Sequence, residues 1–145
     1  MPHRTGVSVV LDRPLRAVFV MTASFERRRL ALCVEWVQRC GQEPPMLTVA
    51  VPKGHALAPL IQDSHCFGLS RLGVGERVLV RRLSEASHPE DPFDDVETEH
   101  LASRAPLLKR ADAVFDCAVV HHLDLEGDHE LYVGRVVAWR GEWAA

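Results

Sequence analysis

The order of apolar and polar positions along the chain predicts short strands with few helices between them. Residues 7–11 form a brief β-branched run that Asp12, Arg13 and Pro14 stop, and residues 15–22, rich in Val and Phe, form a second. Polar residues 24–29 turn the chain back, and residues 30–37 mix apolar with polar positions. Gly41, Gln42, Glu43, Pro44 and Pro45 make a loop that feeds a fully buried strand over residues 46–51. Residues 55–62 place Leu57, Leu60 and Ile61 at helical spacing, with Pro59 near the first turn, where proline is tolerated. Residues 66–72 return to strand. Residues 75–83 read as a helix with Val78, Leu79 and Leu83 on one face and Arg77, Arg81 and Arg82 on the other. Residues 84–100 hold Pro89, Pro92 and seven carboxylates, and are expected to form an exposed acidic excursion. The last feature is a hairpin over residues 113–138, whose second strand follows the turn chemistry of Gly127 and Asp128. No internal repeat or low-complexity linker interrupts this order, so residues 1–145 read as a single domain.

Composition narrows the function classes. An apolar content of 47% with a formal net charge of −3 fits a soluble globular protein. It argues against a nucleic-acid binder that depends on neutralising many phosphates. Of 17 basic residues only Lys53 and Lys109 are lysines, so a titratable amine has two candidates. No apolar run reaches the ~20 residues of a membrane helix, and the first residues lack a signal-peptide pattern, so the expected location is cytoplasmic with no membrane partner. Cys33, Cys40, Cys66 and Cys117 show no Cys-x-x-Cys and no zinc-like spacing, and read as buried free thiols in a reducing compartment.

The hairpin carries the most specific wording. A strand reading Asp116-Cys117-Ala118-Val119-Val120 is followed by Gly127-Asp128-His129-Glu130-Leu131-Tyr132-Val133-Gly134-Arg135-Val136-Val137. This resembles the signature of the flavin reductase-like family, small FMN-binding split β-barrel proteins. Further stretches resemble the family in the same order: Val18-Phe19-Val20-Met21-Thr22, the Pro44-Pro45-led run to Val51, Leu60-Ile61 with Cys66-Phe67-Gly68-Leu69, Pro92-Phe93-Asp94-Asp95-Val96-Glu97, and Ala105-Pro106-Leu107-Leu108. Together they span roughly residues 17–138. The resemblance implies an all-β dominated fold with minor α content, a six-stranded Greek-key split β-barrel with short helices. It also implies a two-fold homodimer whose second subunit completes the flavin groove, FMN as cofactor, and NAD(P)H as the co-substrate that passes hydride to it.

The same resemblance places candidate cofactor contacts. A phosphate-and-ring segment of the family, aligned on its tryptophan, falls on Leu32, Cys33, Val34, Glu35 and Trp36. The second phosphate segment falls on Lys53, Gly54 and His55, continuing to Leu57, and the Gly-Asp-His turn brings His129 beside flavin and nicotinamide. Where relatives carry hydroxyls, this chain has Cys33 and Glu35 in one segment and Gly54 and Leu57 in the other. Two lost hydrogen bonds to a charged group weaken binding by about 3–6 kcal/mol. Lys53, His55 and the Gly54 amide are the groups left to recover part of that. Lys53 and His55 read equally well as a solvated loop, and His129 as the first residue of a strand. The alternative function is therefore a degenerate split-barrel binding or scaffold protein with weak or lost FMN affinity, able to hold another flat ligand.

Other constellations carry less. His121, His122 and His129 sit near one hairpin, but adjacent strand residues face opposite sides, so no metal site is expected. Gly73-Val74-Gly75 lacks the third glycine and the βαβ setting of a dinucleotide loop. Trp36, Trp139 and Trp143 are expected in the core or at an interface, with Trp36 able to border the cofactor. No catalytic residue is assigned, and none is required where the cofactor supplies the chemistry.

Overall fold

A computed structural model of the protein describes residues 17–85 and 91–141. The run over residues 7–11 and Trp143 lie outside them. The apolar run that begins the described chain becomes strand β1 (Ala17–Phe25), which turns at Glu26 into β2 (Arg28–Val34). Strands β3 (Val37–Gln42) and β4 (Pro45–Pro52) form the next hairpin, with a cis Glu43–Pro44 bond in its turn. Helix α1 (Leu57–Ser64) leads to β5 (Cys66–Gly73), and a 3₁₀ turn leads to α2 (Arg77–Leu83). Two short strands, β6 (Thr98–Glu99) and β7 (Leu107–Leu108), precede the long hairpin β8 (Ala113–Asp124) and β9 (His129–Gly141).

Among the described residues the main sheet has seven strands in the order β2-β1-β5-β8-β9-β4-β3, with antiparallel neighbours. The resemblance implied six; the split-barrel class stands and the count changes. Residues 30–37 divide at Glu35 and Trp36, so that β2 and β3 lie at opposite ends of the sheet order. The Trp36 carbonyl accepts the Ala50 amide at 3.1 Å, which holds this link against β4. The loop over residues 41–45 shrinks to a tight turn, because Gly41 and Gln42 pair with Met46 and Pro45 beyond a bulge at Cys40.

Two apolar layers flank the sheet. The inner one joins Met21, Leu32, Val34, Val49, Phe67, Leu69 and Tyr132 to Leu57, Leu60 and Ile61 of α1. Strand β4 is one-sided rather than fully buried: Leu47, Val49 and Val51 are covered while Met46, Thr48 and Ala50 are half-buried. Its period-two pattern places the first set inside the barrel.

The outer layer sets Val80, Leu83, Phe93, Leu107 and Leu108 on Val18, Val20, Leu72 and Val114. Val78, expected on the buried face of α2, is 82% exposed. Two residues along a helix rotate by about 200°, so burying Val80 turns Val78 outward. The acidic stretch, of which residues 86–90 lie outside those described, is corrected in part: Glu85, Asp94, Asp95 and Glu97 are exposed, but the segment does not stand clear of the fold. Pro92 and Phe93 are buried, the Asp91 carboxylate accepts from the Arg29 guanidinium, and that guanidinium lies 5.1 Å over the Phe93 ring. Thr98 and Glu99 pair with Leu108 and Leu107, so the segment folds back onto the sheet.

Buried polar groups fasten this layer. The Asp116 carboxylate, fully buried, accepts the amides of Ala102 and Ser103 at 2.9 and 2.7 Å and the Ser103 hydroxyl at 2.7 Å. Thr22 donates its hydroxyl to the Pro106 carbonyl at 2.6 Å, and Ser70 Oγ accepts the Leu108 amide at 3.0 Å. Each hydrogen bond satisfies a group that burial would otherwise leave unpaired. The four cysteines are free thiols, but only Cys117 is buried; Cys33 and Cys66 are half-buried and Cys40 is exposed. Among the described residues no helix is long and apolar enough to cross a membrane.

Candidate functional site

The tip of the β8–β9 hairpin, the end of β4 and the β2–β3 link meet at one place. Pro52 stands opposite His129 in the ladder, and the Lys53 amide extends the pairing to the Asp128 carbonyl at 3.0 Å. Because Trp36 is pinned to Ala50, its ring reaches His129, with ring centroids 4.8 Å apart and planes at 57°. Three residues singled out from the sequence, Trp36, Lys53 and His129, are thus brought together. Gly54 and His55 follow directly in the loop into α1. Gly54 has φ +85 with no atom within 4 Å of a Cβ position, so glycine suits the backbone there and leaves its surroundings open. Trp36 is 52% exposed and presents an open aromatic surface.

The charges here are mostly paired. Asp128 Oδ1 lies 2.8 Å from His129 Nδ1, and that contact holds the Asp128 carboxyl below its usual range. Lys53 Nζ lies 2.5 Å from Asp124 Oδ1, and the Glu126 amide donates to the same oxygen at 2.8 Å. The hydrogen bond from Lys53 and then that from Glu126 lower the Asp124 pKa. The Leu57 amide donates to His55 Nδ1 at 3.0 Å, so His55 satisfies a helix-entry N–H that would otherwise lack a partner. Burial lowers the His55 pKa, in keeping with a neutral acceptor ring.

On the opposite side of β9 lies a polar cluster that sequence reasoning missed. Tyr132 donates its hydroxyl to Glu130 Oε1 at 2.8 Å and accepts from Gln62 Nε2 at 3.2 Å. The His122 ring stacks on Tyr132, 4.5 Å between centroids and 4° between planes, with its Nε2 3.3 Å from Glu130 Oε2. The i, i+2 spacing of Glu130 and Tyr132 was a usable signal, since it puts both on one strand face. Their partner His122 emerges only from the register His122↔Tyr132.

The remaining candidates are placed elsewhere. Leu32 and Val34 pack in the inner core. Cys33 faces outward against the second apolar layer, and its amide donates to Ser84 Oγ at 2.7 Å. Burial raises the Cys33 pKa, with Glu35 adding to the shift. Glu35 itself is exposed. Trp139 is 65% exposed, so neither it nor Trp36 belongs to the core. Among the described residues no three His, Cys, Asp or Glu side chains gather in a way that could hold a metal ion.

This architecture is that of the flavin reductase split barrels. Residues 12–142 match the family described as "Flavin reductase like domain", and the chain belongs to that family. Diflavin flavoprotein A 1 of Synechocystis sp. is 28% identical over 125 residues, 85% of this chain and 22% of that protein. A second Synechocystis protein of the diflavin flavoprotein A series is 34% identical over 121 residues, 82% of this chain and 20% of its own. The chain thus spans about a fifth of the length of these curated relatives. Among solved structures, the NADH:FAD oxidoreductase SgcE6 of Streptomyces globisporus C-1027 superposes with a TM-score of 0.84 at 21% identity, covering 98% of this chain and 89% of that one.

Proposed function

We propose that this chain is an FMN-binding oxidoreductase of the flavin reductase type, which transfers hydride from NAD(P)H to flavin. The observation that carries the reading is the Trp36–His129 ring pair standing beside the Lys53-Gly54-His55 loop, where the family resemblance places flavin and nicotinamide. The donor set fits the group: an exposed indole for a flat ring, and backbone amides of the loop at the helix entry for a polar tail. Bound flavin would supply the hydride chemistry. The residues of this chain would hold and orient: Trp36 offers a stacking surface, and His129 is fixed by Asp128 at its Nδ1, leaving Nε2 for a ligand. SgcE6, an NADH:FAD oxidoreductase of like fold, agrees with a nicotinamide donor.

The chain acts as one domain and as a homodimer in this reading. Val120, Leu123, Leu125 and Val137 on the β8–β9 hairpin are 40–57% exposed, apolar positions available to a second copy that would complete the groove. Mixing the protein with FMN and NADH or NADPH and following nicotinamide oxidation tests the activity. Oxidation above the free-flavin rate is expected, and a rate equal to that background would overturn the reading.

One observation favours the second reading, a split-barrel module with weak FMN affinity. Cys33 packs toward α2 and Lys53 is already engaged by Asp124, so two of the expected phosphate contacts are committed to the protein. A colourless protein as purified supports this reading, and stoichiometric FMN carried through purification contradicts it.

A further inference from the structure

The loop where the resemblance places a flavin phosphate holds two candidate cations, and neither is free. Lys53, one of two lysines in the chain, has its ammonium 2.5 Å from Asp124 Oδ1 across the mouth of the hairpin. The Glu126 amide fixes the same carboxylate from within the turn at 2.8 Å. His55 turns Nδ1 toward the Leu57 amide as an acceptor, so the ring caps the helix entry. Glu126 and Asp128 are exposed on the same turn, and Glu35 is exposed on the β2–β3 link. A phosphate approaching Lys53 would have to displace Asp124 and then remain beside it, two like charges on one cation.

We infer that Asp124 occupies on Lys53 the place a flavin 5′-phosphate would take, so that the site accepts flavins with and without that phosphate, riboflavin and FMN alike. The inference rests on the proposed reading that flavin lies between the Trp36–His129 pair and the 53–55 loop. Recognition then falls on the ring system and its ribityl chain, through Trp36, His129 and backbone groups of the loop. Forgoing each charge-assisted hydrogen bond to phosphate gives up roughly tenfold to hundredfold in affinity. The flavin is then an exchanging substrate rather than a resident group. Asp124 is the residue that sets this choice.

Titration of the wild-type protein, Asp124→Asn and Lys53→Gln with riboflavin and with FMN, read by quenching of flavin fluorescence, tests the inference. The wild type is expected to bind the two within about threefold of each other. Freeing the ammonium in Asp124→Asn is expected to tighten FMN about tenfold and leave riboflavin unchanged. Lys53→Gln in the wild-type background is expected to leave FMN affinity within about threefold, since that cation serves Asp124. Both positions lie on the surface, and an unchanged circular dichroism spectrum shows that each variant folds. A wild type that prefers FMN by about a hundredfold, or an unchanged riboflavin-to-FMN ratio in Asp124→Asn, would overturn the inference while leaving the flavin reading intact. Binding of neither flavin to any of the three proteins would overturn both.

Discussion

Gly134 leaves the space that the ring of Phe67 fills: a Cβ at position 134 would stand 2.5 Å from Phe67 Cζ and 2.8 Å from Cys117 Cβ. The spaced glycine of the Gly-Asp-His wording is thereby explained by packing. Strand β9 lies close over β8, and Phe67 from β5 closes the inner core against it. Gly134→Ala is expected to destabilise the protein by about 1–3 kcal/mol through overpacking. A chemical denaturation midpoint unchanged from wild type would refute that assignment.

Asp116 anchors the segment that leads to β7. Its carboxylate accepts three hydrogen bonds at 2.7–2.9 Å from Ala102 and Ser103 while fully buried. Asp116→Ala would strand those donors, and a loss of about 2–5 kcal/mol is expected. Limited proteolysis gives an independent reading, with new cleavage expected within residues 100–106.

Tyr132 is the sole tyrosine of the chain, so its ionisation can be followed directly by absorbance. Burial, outweighing the hydrogen bond from Gln62, pushes its pKa from 10.0 up to about 12, with Glu130 adding to the rise. Burial, with Asp116 beside it, raises the Cys117 pKa as well. Both groups have folded pKa values above their unfolded ones. Their contribution to stability is therefore complete below the unfolded values and is lost as pH rises toward the folded ones. Unfolding midpoints are expected to fall between pH ~9 and ~12. A tyrosinate signal titrating near 10 in the folded protein would contradict the buried hydroxyl.

Trp36 is half-exposed and packs on His129 rather than in the core, so its loss should affect binding more than stability. Trp36→Ala is expected to weaken flavin binding about tenfold with the thermal midpoint nearly unchanged. Equal flavin affinity in the variant would remove Trp36 from the site.

The exposed Val120, Leu123, Leu125 and Val137 are where the proposed dimer would bury apolar surface. Sedimentation equilibrium is expected to give twice the 16.2 kDa of one chain, with a thermal midpoint that rises with concentration. A mass of one chain persisting at high concentration would set the dimer aside.

Period-two runs, turn residues and the spacing of Leu57, Leu60 and Ile61 by themselves determined the strands of the final hairpin, helix α1 and strand β5, while the wording of residues 127–137 carried the resemblance to the family. Such signals are written within about ten consecutive residues, and they do not depend on which elements later become neighbours. Trp36, Lys53 and His129 were legible as candidates in the same way, as residues of particular chemistry in wording that resembles the family's.

Only the tertiary structure decided what those residues touch. The division of residues 30–37 into two strands, the one-sided burial of β4 and the outward turn of Val78 follow from which faces the packed layers cover. The acidic stretch folds back because Arg29, distant in sequence, meets Asp91 and Phe93. Lys53 meets Asp124, and His122 meets Tyr132 and Glu130, for the same reason. These pairings are set by strand register and layer packing across the whole chain, and a charge or a ring carries no local mark of the partner that register will bring to it.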